Sequence, residues 1–199
     1  MKITTIIGSP RPEGFGGSIE KALLGLLGEA GRKAKTYELN SLTFRGCQAC
    51  MSCKTTADAC VQKDDLTPIL ADIRASDVVI VSAPIYMGEV NAQAKGLLDR
   101  FYSYLGPDFR TNPKSGRLAP GKKMVFIMTQ GNPDEATYSA VLARHKRTFD
   151  MCGFTDVLPV QICGARPGSE AEAGKRAAAR LADVAKALLA PRPRTGERP

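Results

Sequence analysis

The stretch Asp77-Val-Val-Ile-Val-Ser-Ala83 is apolar without alternation. A strand with one wet face alternates polar and apolar residues, so an unbroken run needs cover on both faces. That is the situation of a strand inside a parallel sheet flanked by helices. The rest of the chain supplies the cover. Runs at Lys2–Ile7, Lys33–Leu39, Lys123–Thr129 and Val157–Cys163 predict four further strands. Between them lie segments with helical periodicity. Ile19, Ala22, Leu23, Leu26, Leu27 and Ala30 predict one helix face, with Ser18 at the N-cap. Asp64-Asp65 opens a second helix carrying Leu66, Ile69, Leu70 and Ile73. Leu97, Leu98, Phe101, Tyr102 and Leu105 mark a third, and Ala136–Cys152 and Glu170–Leu189 two more. Such alternation predicts right-handed βαβ units in an α/β, doubly wound, five-stranded parallel sheet of order 2-1-3-4-5, with helices on both faces. Ligands of such sheets bind at the carboxyl ends of the strands beside the switch point, which directs attention to loops 8–18, 84–92 and 129–135.

With 199 residues, 43% hydrophobic, the chain suits one domain, expected over 1–190. The Pro/Arg tail 191–199 is expected to be disordered. No apolar run approaches the roughly 20 residues of a membrane helix, and the N-terminus has no secretory pattern, so a cytoplasmic location is expected. A net charge of +8 raises nucleic acid as a partner, but the basic residues are scattered. There is no Trp and no aromatic-basic run to stack bases. Neither nucleic acid nor membrane is expected as a partner.

Between the first strand and first helix runs Gly8-Ser-Pro-Arg-Pro-Glu-Gly-Phe-Gly-Gly-Ser18. Glycines let backbone N–H groups turn toward an anion, hydroxyls add donors, and a helix start supplies its positive dipole end. Arg11 can pair with a phosphate directly. The spacing is neither Gly-x-Gly-x-x-Gly nor a Walker A loop. A turn that needs glycine only for its geometry is the plainer alternative. The pattern Gly-Ser-Pro-Arg-(x)n-Ser resembles the NADPH-dependent FMN reductase family of the flavodoxin-like superfamily. The segment Ala83-Pro-Ile-Tyr-Met-Gly88, followed by Asn91, Ala92, Gln93, Lys95, Leu97, Leu98 and Asp99-Arg100, is similar to that family's second flavin loop and following helix. Thr129-Gln130-Gly131-Asn132 stands where its third loop passes the isoalloxazine. The likeness covers roughly residues 1–165. It implies FMN, with Ser9, Arg11, Gly16, Gly17 and Ser18 at the phosphate. Pro84, Ile85, Tyr86, Met87, Gly88, Thr129, Gln130, Gly131 and Asn132 would flank the ring. For Tyr86 and Met87, core packing is the alternative.

Cys47, Cys50, Cys53 and Cys60 form C-x2-C-x2-C-x6-C in a cysteine-rich segment, 45–60. Clustered cysteines of a reducing compartment are more often metal ligands or redox groups than disulfides. The first three resemble the run that wraps a [4Fe–4S] cube. Zinc, a disulfide and reduced cysteines without a cofactor stay open as alternatives. Together with the FMN loops, the run resembles the iron-sulfur flavoproteins, which implies Cys47, Cys50, Cys53 and Cys60 as cluster ligands. Cys152 and Cys163 belong to no motif and are expected in the core.

No nucleophile constellation is visible, and the single His145 reads as structural. The expectation is therefore an FMN-dependent oxidoreductase with no catalytic side chain, the flavin being the reactive group. NAD(P)H or ferredoxin would donate electrons, and a quinone, flavin, oxygen species or other small molecule would accept them. A cluster-free NAD(P)H-dependent FMN, quinone or azo reductase is one alternative, and a non-catalytic electron carrier or redox sensor another. The family resemblance implies a homodimer or homotetramer. The segment Gly106–Gly121 is expected to cover the flavin.

Overall fold

The computed structural model describes residues 1–112, 114–166 and 168–190, so the predicted disordered tail lies outside the described residues. The parallel strands are β1 (Ile3–Ile7), β2 (Lys35–Glu38), β3 (Val78–Tyr86), β5 (Lys123–Thr129) and β6 (Asp156–Ile162). A two-residue strand, β4 (Glu89–Val90), folds back antiparallel on the end of β3. The order is β2-β1-β3-β5-β6, which is 2-1-3-4-5 when only the parallel strands are counted, as the alternation of elements predicts. The helices are α1 (Phe15–Leu26), α2 (Gly28–Arg32), α3 (Ser52–Thr55), α4 (Leu66–Ala75), α5 (Ala92–Arg100), α6 (Ser139–Cys152) and α7 (Glu170–Leu189). Among the described residues no helix is long and apolar enough to cross a membrane.

The unbroken apolar run divides between two cores. Val79, Val81 and Ala83 of β3 face one side with Leu66, Ile69, Leu97 and Phe101. Val78 and Ile80 face the other with Ile19, Leu23, Leu181 and Leu188. At about 1.5–3 kcal/mol for each fully buried Val, Leu or Ile, this double cover is the main force holding the central strands.

Three boundaries differ from the sequence reading. The first helix starts at Phe15 with Gly14 as N-cap, so Ser18 is not the cap. Its tight Gly-Gly opening lets the helix begin directly from the turn. The helix breaks at Gly28 (φ +59°), and Leu26, expected on the buried face, is half exposed. The third helical region is an α-helix from Ala92 to Arg100 that tightens into a 3-10 turn over Phe101–Tyr104.

Candidate functional site

β1 ends at Gly8, whose N–H donates to the Ser82 carbonyl at 2.8 Å. A Cβ on Gly8 would stand 2.7 Å from that carbonyl, so only glycine lets β1 close on β3 here. The chain then turns. The Arg11 N–H donates to the buried Ser9 hydroxyl at 3.1 Å, and the Gly14 N–H to the Arg11 carbonyl at 3.0 Å. A Cβ on Gly17 would lie 1.7 Å from the Pro12 carbonyl, so the loop folds flat onto the helix only because residue 17 has no side chain. The first N–H groups of α1 (Phe15, Gly16, Gly17) have no acceptor within the helix and form an anion-ready end.

The second loop is a hairpin. β3 runs through Pro84, Ile85 and Tyr86 into a Met87-Gly88 turn, with φ values of +49° and +85°, and returns as β4. Two positive φ values in succession match the right-handed twist of the flanking strands. The hairpin is tied down by Glu89, which accepts from the Val90 N–H at 2.8 Å, lies 2.8 Å from His145 Nε2 and pairs with Arg144. Burial opposes ionisation of Glu89, yet the bonds from His145, Val90 and Arg144 hold its carboxyl down at about 2.

Ser9, Arg11, Gly16, Pro84, Ile85, Tyr86, Thr129, Gln130 and Gly131 line one cleft at the carboxyl ends of β1, β3 and β5. Phe15 and Ala165, not singled out in the sequence, line it as well. Gln130 also braces its own loop: its amide donates to the carbonyls of Asn132 (3.1 Å) and Asp134 (2.8 Å) and accepts from Gln161 (2.8 Å). Five predicted residues stand outside the lining. Gly17 and Ser18 belong to the first turn of α1, with the Ser18 hydroxyl 3.4 Å from the Glu13 carbonyl. Met87, fully exposed, and Gly88 form the hairpin tip. Asn132 accepts from the Asp134 N–H at 2.8 Å.

Beneath the cleft lies a residue that the sequence reading did not single out. Glu20 is 1% exposed, and the Thr5 hydroxyl donates to its carboxyl. Burial pushes its pKa up to about 7, against the opposing bond from Thr5. A Cβ on Gly16 would meet the Ser82 hydroxyl at 3.3 Å, so this polar group sits directly under the first turn of α1.

Cys47, Cys50, Cys53 and Cys60 line a second, smaller cavity together with Met51, Gln62, Arg100 and Tyr102. Ala49 (φ +52°) and Met51 (φ +59°) flank Cys50 in the left-handed region, at a cost of roughly 1–2 kcal/mol each for a residue with a Cβ. The Ser52 backbone N–H and hydroxyl hold the Cys50 thiol below its ordinary range. Lys54 turns inward, donating to the carbonyls of Tyr102 (2.5 Å) and Leu105 (2.7 Å) with its ammonium 4.1 Å over the Tyr102 ring. Among the described residues no three His, Cys, Asp or Glu side chains converge as a single-ion site.

The segment 106–121 belongs to this second site. Arg117 donates to the Cys53 carbonyl at 2.8 Å, Phe109 packs edge-on to Tyr102, and Leu118 enters the core. None of its described residues lines the three-loop cleft, contrary to the expectation that it covers a flavin there. Arg117 finds its partners in the cysteine segment instead, at the Cys53 and Ala57 carbonyls. Cys152 is buried in the core as expected, whereas Cys163 is only half-buried, just beyond β6. His145 is buried and bonded to Glu89, as a structural histidine would be.

The protein family described as a flavodoxin-like fold matches residues 1–185. Over 116 residues the chain is 38% identical to the iron-sulfur flavoprotein of Methanosarcina thermophila, covering 58% of this chain and 60% of that one. It is 31% identical over 156 residues to an FMN-dependent NADH:quinone oxidoreductase of Delftia acidovorans, covering 75% and 71%. The chain spans about half to three fifths of the length of the iron-sulfur flavoproteins it matches. Among solved structures, an NAD(P)H:quinone oxidoreductase from Methanothermobacter marburgensis superposes with a TM-score of 0.69 at 17% identity, over 97% of this chain and 98% of that one. At that identity the likeness bears on the fold alone.

Proposed function

The chain belongs to the flavodoxin-like family, and on that premise we propose that it is an FMN-dependent oxidoreductase with a [4Fe–4S] cluster in the cysteine segment of its flavin domain. The observation that carries the flavin is the convergence of three separate loops on one cleft next to a free helix start. The donors fit a phosphate monoester: the α1 N–H groups, the Ser9 hydroxyl and the exposed Arg11 guanidinium. Pro84, Ile85 and Tyr86 with Thr129, Gln130 and Gly131 fit a flat ring, and the Met87-Gly88 tip would close over it.

For the cluster, the donor set fits. Four thiols from one short segment line one cavity, and thiolate is the ligand that iron–sulfur clusters take. The inward cation Lys54, next to Cys53 in the chain, would offset part of the charge of such a centre, while the Arg100 charge is matched by Asp64. When bound, the two groups would supply exchange between paired and single electrons. NAD(P)H or ferredoxin as donor, a small acceptor such as a quinone, and a homodimer or homotetramer complete the reading. Protein purified without oxygen is expected to show flavin absorbance, a broad visible shoulder, and about four iron and four sulfide per chain. Flavin without iron would leave a cluster-free NAD(P)H:quinone reductase, the second reading. That reading is favoured by the Delftia relative, whose match covers more of this chain. Colourless protein that takes up no added FMN would overturn both.

A further inference from the structure

Arg100 ends α5, and its side chain is 0% exposed. Burying a guanidinium costs several kcal/mol unless its charge and donors are satisfied. Here every nitrogen is used. Nη1 donates to the Asp64 carboxylate at 2.7 Å and to the Arg45 carbonyl at 2.9 Å. Nη2 reaches the Gln62 carbonyl at 3.4 Å, and Nε donates to Cys60 Sγ at 3.1 Å. One side chain therefore holds backbone on both sides of the cysteine segment, before Cys47 and after Cys60. Asp64 is itself fixed by the N–H groups of Arg45 (3.3 Å) and Leu66 (3.1 Å), so it neutralises the cation without being able to follow it. Of the two donors that remain on the planar fork, Nε–H points at sulfur.

We propose that Arg100 is a positioning residue for the fourth thiolate, fixing Cys60 Sγ on the cavity wall and raising the reduction potential of a cluster held there through its Nε–H···S bond. The inference rests on the cluster reading above. A donor to a cysteine sulfur draws charge from it and so favours the more negative, reduced state. Hydrogen bonds to the sulfurs are among the levers that set the potentials of these centres.

The test is a reductive titration followed by electron paramagnetic resonance on anaerobically purified full-length protein, with iron and sulfide counted in every sample. In Arg100→Gln the iron content is expected to hold while the reduction equilibrium constant falls at least tenfold, 59 mV for a one-electron couple. Arg100→Lys, which keeps charge without the fork, should fall between. An iron-replete Arg100→Gln with an unmoved potential would overturn the role of Arg100 and leave the cluster standing. A wild-type chain that holds no iron after anaerobic purification and reconstitution would overturn both. Should Arg100→Gln fail to fold or to load iron, Asp64→Asn decides. It leaves the guanidinium charge uncompensated beside Cys60, so the potential is expected to rise, and an unchanged or lower value would count against the proposal.

Discussion

Glu20 places a carboxyl in the interior with hydroxyls for company and, among the described residues, no cation. Thr5 and Ser82 are the polar groups that bear on it, and among the described residues no charged group of β1, β3, β5, α2 or α7 offsets its burial. With a folded pKa of about 7 against an ordinary 4.5, the fold keeps this group protonated where the unfolded chain ionises it. The stability this contributes is complete below pH 4.5 and is lost as pH rises to 7. At about 1.4 kcal/mol per unit, the loss amounts to about 3 kcal/mol. Urea unfolding at pH 5 and pH 8 should therefore show a drop in the wild type that is largely absent in Glu20→Gln. Parallel behaviour of the two proteins would mean that Glu20 reaches solvent or a partner. Nothing in the sequence marks this residue, because one Glu within a helical pattern normally lies on the wet face.

At the scale of elements, the hairpin from Pro84 to Val90 is where structure goes furthest beyond the sequence reading, which gives only a turn. Its grip on the body of the protein is Glu89 with His145 and Arg144. His145→Ala removes a bond to a carboxylate and opens space among the Phe126 and Phe149 rings. A loss of about 2–4 kcal/mol in unfolding free energy is expected, with weaker FMN binding as the hairpin loosens. Met87 behaves in the opposite way. Its positive φ costs roughly 1–2 kcal/mol, and it covers no neighbour. Met87→Gly should therefore be at least as stable as the wild type in thermal unfolding, and a clear loss would show that Met87 packs on something. The strands, their order and the three loops were legible because unbroken apolar runs and glycine clusters are local signals. The tethers were not, since Glu89 and His145 stand 56 positions apart and nothing in either segment announces the other. Arg100 left a faint trace, a cation at the register of Leu97 and Phe101 on an otherwise apolar helix face.

Across the whole molecule, α5 connects the two candidate sites. Its N-cap, Asn91, is buried beside the cleft; the amide donates to the Gly8 carbonyl at 2.5 Å, and its backbone N–H donates to the Pro84 carbonyl at 3.0 Å. The first and second loops are thus held to one residue. At the other end Arg100 clasps the cysteine segment, and midway Gly96 admits the Phe44 ring, which a Cβ there would meet at 3.0 Å. The two sites are separated by the length of this helix, about 14 Å at 1.5 Å per residue. A rigid rod between them implies that each can be weakened from its own end. Asn91→Ala leaves the buried Gly8 carbonyl without its donor, which costs about 1–3 kcal/mol. Because the first loop must keep its shape to present the α1 N–H groups, a roughly tenfold rise in the FMN dissociation constant is expected, the equivalent of about 1.4 kcal/mol. Iron per chain should stay unchanged, because the Arg100 clasp does not involve Asn91. Fluorescence titration with FMN and iron analysis on the same preparation read the two quantities separately. If iron falls in step with flavin affinity, the helix does not isolate the two sites, and the cysteine segment is held in place through the cleft.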